Sequence, residues 1–159
     1  MHFTFLPIVA TAPEVAPAAD PVAEFLRLLT TDPRQERPVL EVCPALQASA
    51  LARATGLAFH GDPWAHHDAN GVWANEYARR AGCKLPPDYS QNGNNIECLA
   101  AGSADPVVMF NALAGSPSHS DALFGRGWLR HQCHVGIAMV ENEAAPYRWY
   151  WCIHLARCT

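Results

Sequence analysis

The chain has 159 residues, half of them hydrophobic and 16% charged, with a net charge of −4. That length suits one domain able to bury a core of its own. No block of Lys and Arg occurs, which argues against nucleic acid and anionic membranes as main partners, and no apolar run approaches the roughly 20 residues of a membrane-spanning helix.

Residues 1–19 set Pro7, Pro13 and Pro17 among alanines and read as an extended arm ahead of a domain over 20–159. The stretch Phe3 to Ala12 is apolar and ends in small residues, but it lacks the Lys or Arg of a secretory n-region, and Pro7 interrupts it. An arm of this kind needs a surface to lie on, in its own domain or in a larger assembly. Asp20-Pro21 then starts a helix, with an N-cap carboxylate and proline at the first helical position. Val22, Phe25, Leu26 and Leu29 give it one apolar face up to Thr30. Residues 31–38 are a polar connection. A second helix follows Pro44, with Leu46, Ala50, Ala54 and Leu57 spaced toward a core and Gly56 weakening its end. Residues 60–71, rich in His, Asp, Gly and Pro, form a loop that includes His60.

A third helix is expected from Val72 to Arg80, ended by Gly82, and a loop over 83–95 with Asn92-Gly93-Asn94-Asn95 as turn chemistry. Ile96 to Ala100 is short and extended. Asp105-Pro106 caps a helix through Ala114, whose Met109, Phe110 and Leu113 are packing residues, and Ser116-Pro117 opens a shorter helix through Leu123. The period then changes. Cys133 to Val140 and Tyr147 to Leu155 read as two antiparallel strands joined by the polar turn 141–146. Alternation puts Tyr150 on one face and Trp149 with Trp151 on the other, so part of this aromatic group is core and part a candidate stacking surface.

Six cysteines occur, at Cys43, Cys83, Cys98, Cys133, Cys152 and Cys158, with no C-x-x-C pair. That pattern favours disulfides and an oxidising compartment over a zinc ribbon, and it leaves 15 pairings open. One constellation, His131-x-Cys133-His134 with Cys152-x-His154-x3-Cys158, offers either a metal site on adjacent strands, or a Cys133–Cys152 bridge or other disulfides tying the hairpin and C-terminus down. A cysteine nucleophile has no specific support, because six cysteines and eight histidines make some pairing inevitable.

Four stretches carry a resemblance. They are Arg37-Pro-Val-Leu with Pro44-Ala-Leu-Gln-Ala-Ser-Ala-Leu-Ala; Trp64-Ala-His-His-Asp-Ala-Asn-Gly71; Ser116-Pro-Ser-His119; and His134-Val-Gly-Ile-Ala138 with Tyr150-Trp-Cys-Ile. In this order the chain resembles the CAP superfamily (cysteine-rich secretory, antigen 5 and pathogenesis-related-1 proteins, the SCP-like domain) over residues 22–157. The resemblance implies an α+β fold, a three-layer α-β-α sandwich with a small antiparallel sheet between helices. It implies a cleft with two histidines, here His66 and His119, and two glutamates; in several members the histidines bind zinc or another divalent ion. Here the glutamate positions fall on Asn94 and Asn111, and Glu97 stands three residues from the first, on the opposite face if the segment is extended.

Two imidazoles are too few for tight zinc binding, and an amide cannot accept a proton at neutral pH. His66, His67, Asn94, Asn111 and His119 are therefore read as a ligand cleft, with Asp68 and Asp121 as orienters of the histidines. The first functional reading is a non-enzymatic module for a lipid, glycan or protein surface, extracellular, periplasmic or virion-associated. The second is a divalent-metal hydrolase of peptide, ester or cell-wall bonds that uses His66 and His119, helped by Asp68, Asp121 or Glu97. Both depend on the two imidazoles meeting in an open groove.

Overall fold

The structure, a computed structural model, describes residues 20–62 and 64–159 and the backbone of residues 8–9. The rest of the expected arm lies outside the described residues. In chain order the elements are β1 (Ile8–Val9), α1 (Pro21–Thr31), β2 (Glu41–Val42), α2 (Pro44–Phe59), α3 (Ala74–Arg80), β3 (Glu97–Ala101), α4 (Pro106–Gly115), α5 (Pro117–Phe124), a 3-10 turn (Gly127–His131), β4 (His134–Glu141) and β5 (Trp149–Ala156). The capping chemistry acts as expected at α1 and α4. The Asp20 carboxylate accepts from the N–H groups of Val22 and Ala23, and Asp105 accepts from those of Val107 and Val108.

The strands form one sheet in the order β1-β3-β5-β4-β2. Its middle is antiparallel, with Leu99 opposite Cys152 and Cys152 opposite Ala138. Its two outer strands run parallel to their neighbours, so the sheet is mixed rather than antiparallel throughout. Both outer strands are two residues long, too short for a period-2 pattern to register in sequence. The hairpin strands lie one or two residues later than their pattern suggests. Asn142, Ala145 and Arg148 form a hydrogen-bonded turn with Arg148 at φ 58°, which takes Tyr147 out of the strand.

Strand alternation builds the layers. Cys98, Ala100, Val135, Ile137, Trp151, Ile153 and Leu155 face α1, α4 and α5, where they meet Phe25, Leu29, Met109, Leu113 and Leu123. Leu99, Ala101, Ala138, Tyr150 and Cys152 face α2 and meet Ala50, Ala54 and Leu57. This is an α+β sandwich, the layered architecture that the resemblance implied. No helix among the described residues is long and apolar enough to cross a membrane.

Contact between α2 and the sheet is close because β4 carries Gly136: a Cβ there would stand 2.1 Å from the Leu46 carbonyl carbon and 2.3 Å from the Gln47 nitrogen. Backbone cannot move aside as a flexible side chain can. Gly136→Ala is therefore expected to destabilise by about 2 kcal/mol, read as a lower urea midpoint at unchanged slope.

One disulfide forms among the described residues, Cys83–Cys158. The expected Cys133–Cys152 bridge does not. Cys152 sits mid-strand, opposite Leu99 and Ala138, whereas Cys133 precedes β4 beside the His134 ring. Cys98 and Cys152 are buried thiols, and burial pushes Cys98 up to about 12 and Cys152 well above the usual thiol range. Both are thereby held as neutral thiols, the form that packs as a small apolar group.

Candidate functional site

The polar heart of the molecule lies between α2 and the sheet, and Glu97 is its hub. Asn94 does not enter β3. Its side-chain oxygen accepts from the N–H groups of Ile96 and Glu97, and its amide donates to the Glu97 carbonyl, a local turn that launches the strand. Glu97 is thereby the first residue of β3 on the α2 face. Asn94 is thus a positioning residue for the backbone, and the carboxylate belongs to Glu97.

Glu97 is 1% exposed. Its Oε1 accepts from His66 Nδ1 at 2.8 Å, and its Oε2 accepts from His154 Nε2 at 3.1 Å. Arg53 Nε, from α2, forms an ion pair with Oε2 at 3.4 Å. The Cys152 thiol donates to the same oxygen at 3.7 Å. His154 receives the Ser49 hydroxyl on Nδ1 at 2.8 Å, which fits the tautomer with its proton on Nε2. Burial alone would raise the Glu97 carboxyl, but the two imidazoles and the guanidinium outweigh it and hold the group far below the usual carboxylate range.

Arg53, itself fully buried, reaches onward. It pairs with Asp62 at 3.0 Å and donates to the carbonyls of Ala65 and His67, so it pins the loop that carries His66. Gly56 makes room for this: a Cβ there would lie 2.1 Å from an Asp62 oxygen. Its place is the loop contact, not the end of α2, which runs on to Phe59.

His119, on α5, is 1% exposed, and its Nδ1 shares a hydrogen bond of 2.9 Å with the Ser116 hydroxyl. Burial first, and the nearby His66 second, lower its pKa to about 4, which keeps the ring neutral. The two imidazoles do converge from distant parts of the chain. They do not line an open groove: His66 is 6% exposed.

The remaining expected cleft residues have other duties. Asp68 accepts from the N–H groups of Asn70 and Val72 and from the Tyr77 hydroxyl, which shapes the loop and delays α3 to Ala74; it does not orient His66. Asp121 is exposed and paired with Arg126, so Ser116 does the orienting of His119 instead. His67 bonds the Asp68 carbonyl and packs on Trp73. Asn111 is exposed on α4.

The proposed metal pairing across the hairpin also changes partners. His131 lies exposed in the 3-10 turn, away from Cys152 and His154, and Glu97 completes that group. Glu97, Cys152 and His154 bring ligand atoms within 4.8 Å of one another, a spacing that could hold a metal ion. Arg53 already brings a positive charge to the same Glu97 oxygen. Two contributors escaped the sequence reading: Ser49 and Arg53, one turn apart, are the polar exceptions on the buried face of an alanine-rich helix. His154, a candidate ligand in the hairpin constellation, donates to Glu97.

No protein-family model matches the chain, and no curated protein matches it in sequence. Among solved structures it is similar to an outer surface protein from Borrelia burgdorferi, at 19% identity and a TM-score of 0.62, over 87% of this chain and 90% of that one. A likeness at that identity speaks for the fold alone.

Proposed function

We propose that the chain is a CAP-type extracellular binding module that engages a protein partner along the β2 edge of its sheet, its histidines serving the scaffold. The observation that carries this reading is the burial of His66, Glu97, His119 and His154 together. A hydrolase must admit water and substrate to its base, whereas Glu97 is committed on both oxygens to groups of its own chain. Zinc fits this arrangement poorly. His66 and His119 are two ligands where catalytic sites use three, and at the Glu97 group a second cation would have to share an oxygen with Arg53.

An accessible concavity lies elsewhere, between α1, β2 and β4, lined by Val22, Leu26, Val42, Val135 and Ile137 together with Asp20 and Gln47. Its volume is about 240 Å³, below the roughly 300–1,000 Å³ of small-molecule pockets, so it suits a few side chains of a protein. Beside it the Gln47 amide pairs with the backbone of Ile137 as a neighbouring strand would. Two residues on, the outward N–H and C=O of Met139 have no partner among the described residues. An extended partner segment with aliphatic side chains meets both features. The disulfide and the likeness to an outer surface protein support an extracellular setting.

The test is binding of synthetic peptides with alternating aliphatic and polar residues. Wild type and a folded His66→Gln variant are expected to bind alike, and Val42→Asp to bind about tenfold more weakly. Binding indifferent to Val42→Asp, or a peptide-, ester- or glycan-cleaving activity abolished by His66→Gln, would overturn the reading.

A further inference from the structure

Four cysteines gather where the C-terminal tail crosses the start of α2. Cys83 and Cys158 are bonded, and the Cys43 thiol donates to the Cys158 sulfur at 3.6 Å. Cys83 is 2% exposed within a cluster containing Leu46, Ala78 and Ile96, whereas Cys43 and Cys158 are half-buried. The Cys158 backbone N–H donates to His134 Nδ1 at 3.1 Å, which fixes the tail, and the Cys133 thiol lies 3.7 Å from the same nitrogen.

We infer that Cys43, Cys83 and Cys158 form a thiol–disulfide exchange site in which the Cys158 sulfur is shared between two partners. A thiolate attacks a disulfide sulfur directly, and the reaction needs a third sulfur in contact with the bond. Cys43 meets that requirement at Cys158. In the step, the Cys43 thiol gives its proton to water and its sulfur attacks Cys158 Sγ. The Cys43–Cys158 bond forms as Cys83–Cys158 breaks, and Cys83 leaves as a thiolate that takes a proton from water. One disulfide and one thiol stand on each side, so no oxidant or reductant enters. The apolar surroundings of Cys83 favour its neutral thiol once released. The tail is tethered to the loop after α3 in one state and to the start of α2 in the other.

Disulfide mapping of the full chain tests this. The protein is equilibrated in a glutathione redox buffer near neutral pH, quenched with acid, alkylated and digested. Two bridged species are expected: Cys83–Cys158 with Cys43 alkylated, and Cys43–Cys158 with Cys83 alkylated, the second on the order of a tenth of the first or more. Cys83→Ala is expected to convert almost wholly to Cys43–Cys158. Wild type yielding only Cys83–Cys158 overturns the inference. So does a Cys83→Ala chain of native circular dichroism with Cys43 and Cys158 both free, or a zinc ion held by the reduced sulfurs in place of either bridge. If Cys83→Ala fails to fold, the wild-type distribution decides alone.

Discussion

Glu97→Leu is expected to cost about 4 kcal/mol, because it leaves the Arg53 guanidinium buried with one carboxylate in place of two. It also strands the N–H groups of His66 and His154, whose acceptor is gone. Arg53→Met is expected to cost nearly as much, since it removes the counter-charge of Glu97 and Asp62 and the donor that pins the carbonyls of Ala65 and His67. Either loss is a large share of the roughly 5–15 kcal/mol that holds a domain together. The two side chains touch, so their effects should not add. The double variant is expected to be more stable than the sum of the singles predicts by about 2 kcal/mol, because replacing a buried pair by apolar groups avoids the unpaired charge. Urea titrations of the four proteins give the cycle. Single variants each within about 1 kcal/mol of wild type would mean that Glu97 is not the hub described above.

Why that hub was only half legible follows from which interactions are local. Caps, helix faces and hairpin alternation depend on residues within a few positions of one another, and Asp20, Asp105, Phe25 and Trp151 stand where their spacing placed them. His66 and His119 could be paired only through a family resemblance, because 53 positions separate them in the chain. Glu97 could be read only as a helper on the opposite face from Asn94 if the two shared an extended segment; the turn closed by the Asn94 side chain removes that condition. Arg53 was invisible for a different reason. A buried cation announces itself only through partners that the tertiary fold supplies, here Asp62 from a loop and Glu97 from a strand. Likewise the openness of the groove depends on how tightly the His66 loop is tied down, and the ties run through Arg53.

In chelator-treated protein, stability is expected to fall by about 3 kcal/mol between pH 6.5 and 4 on account of His119 alone. In the unfolded chain this ring takes up a proton near its ordinary value of 6.5, whereas in the native state burial and the neighbouring His66 delay protonation to about 4. As pH falls through that window the unfolded state binds the proton first, so stability is full above 6.5, drains to pH 4 and is level below it. A gap of this width is worth about 3 kcal/mol at 1.36 kcal/mol per pH unit. Glu97 acts in a lower window: its carboxyl is held far down in the native state, so its contribution is full above the ordinary carboxylate value of 4.5 and drains only below it. The two groups are therefore separable by pH. His119→Gln, which can keep a hydrogen bond to Ser116 without titrating, should flatten the profile between 6.5 and 4 and leave the decline below 4.5 in place. An unchanged slope in the upper window would mean that His119 takes up its proton in the folded protein, and that the ring is far more open to water than its burial on the inner side of α5 allows.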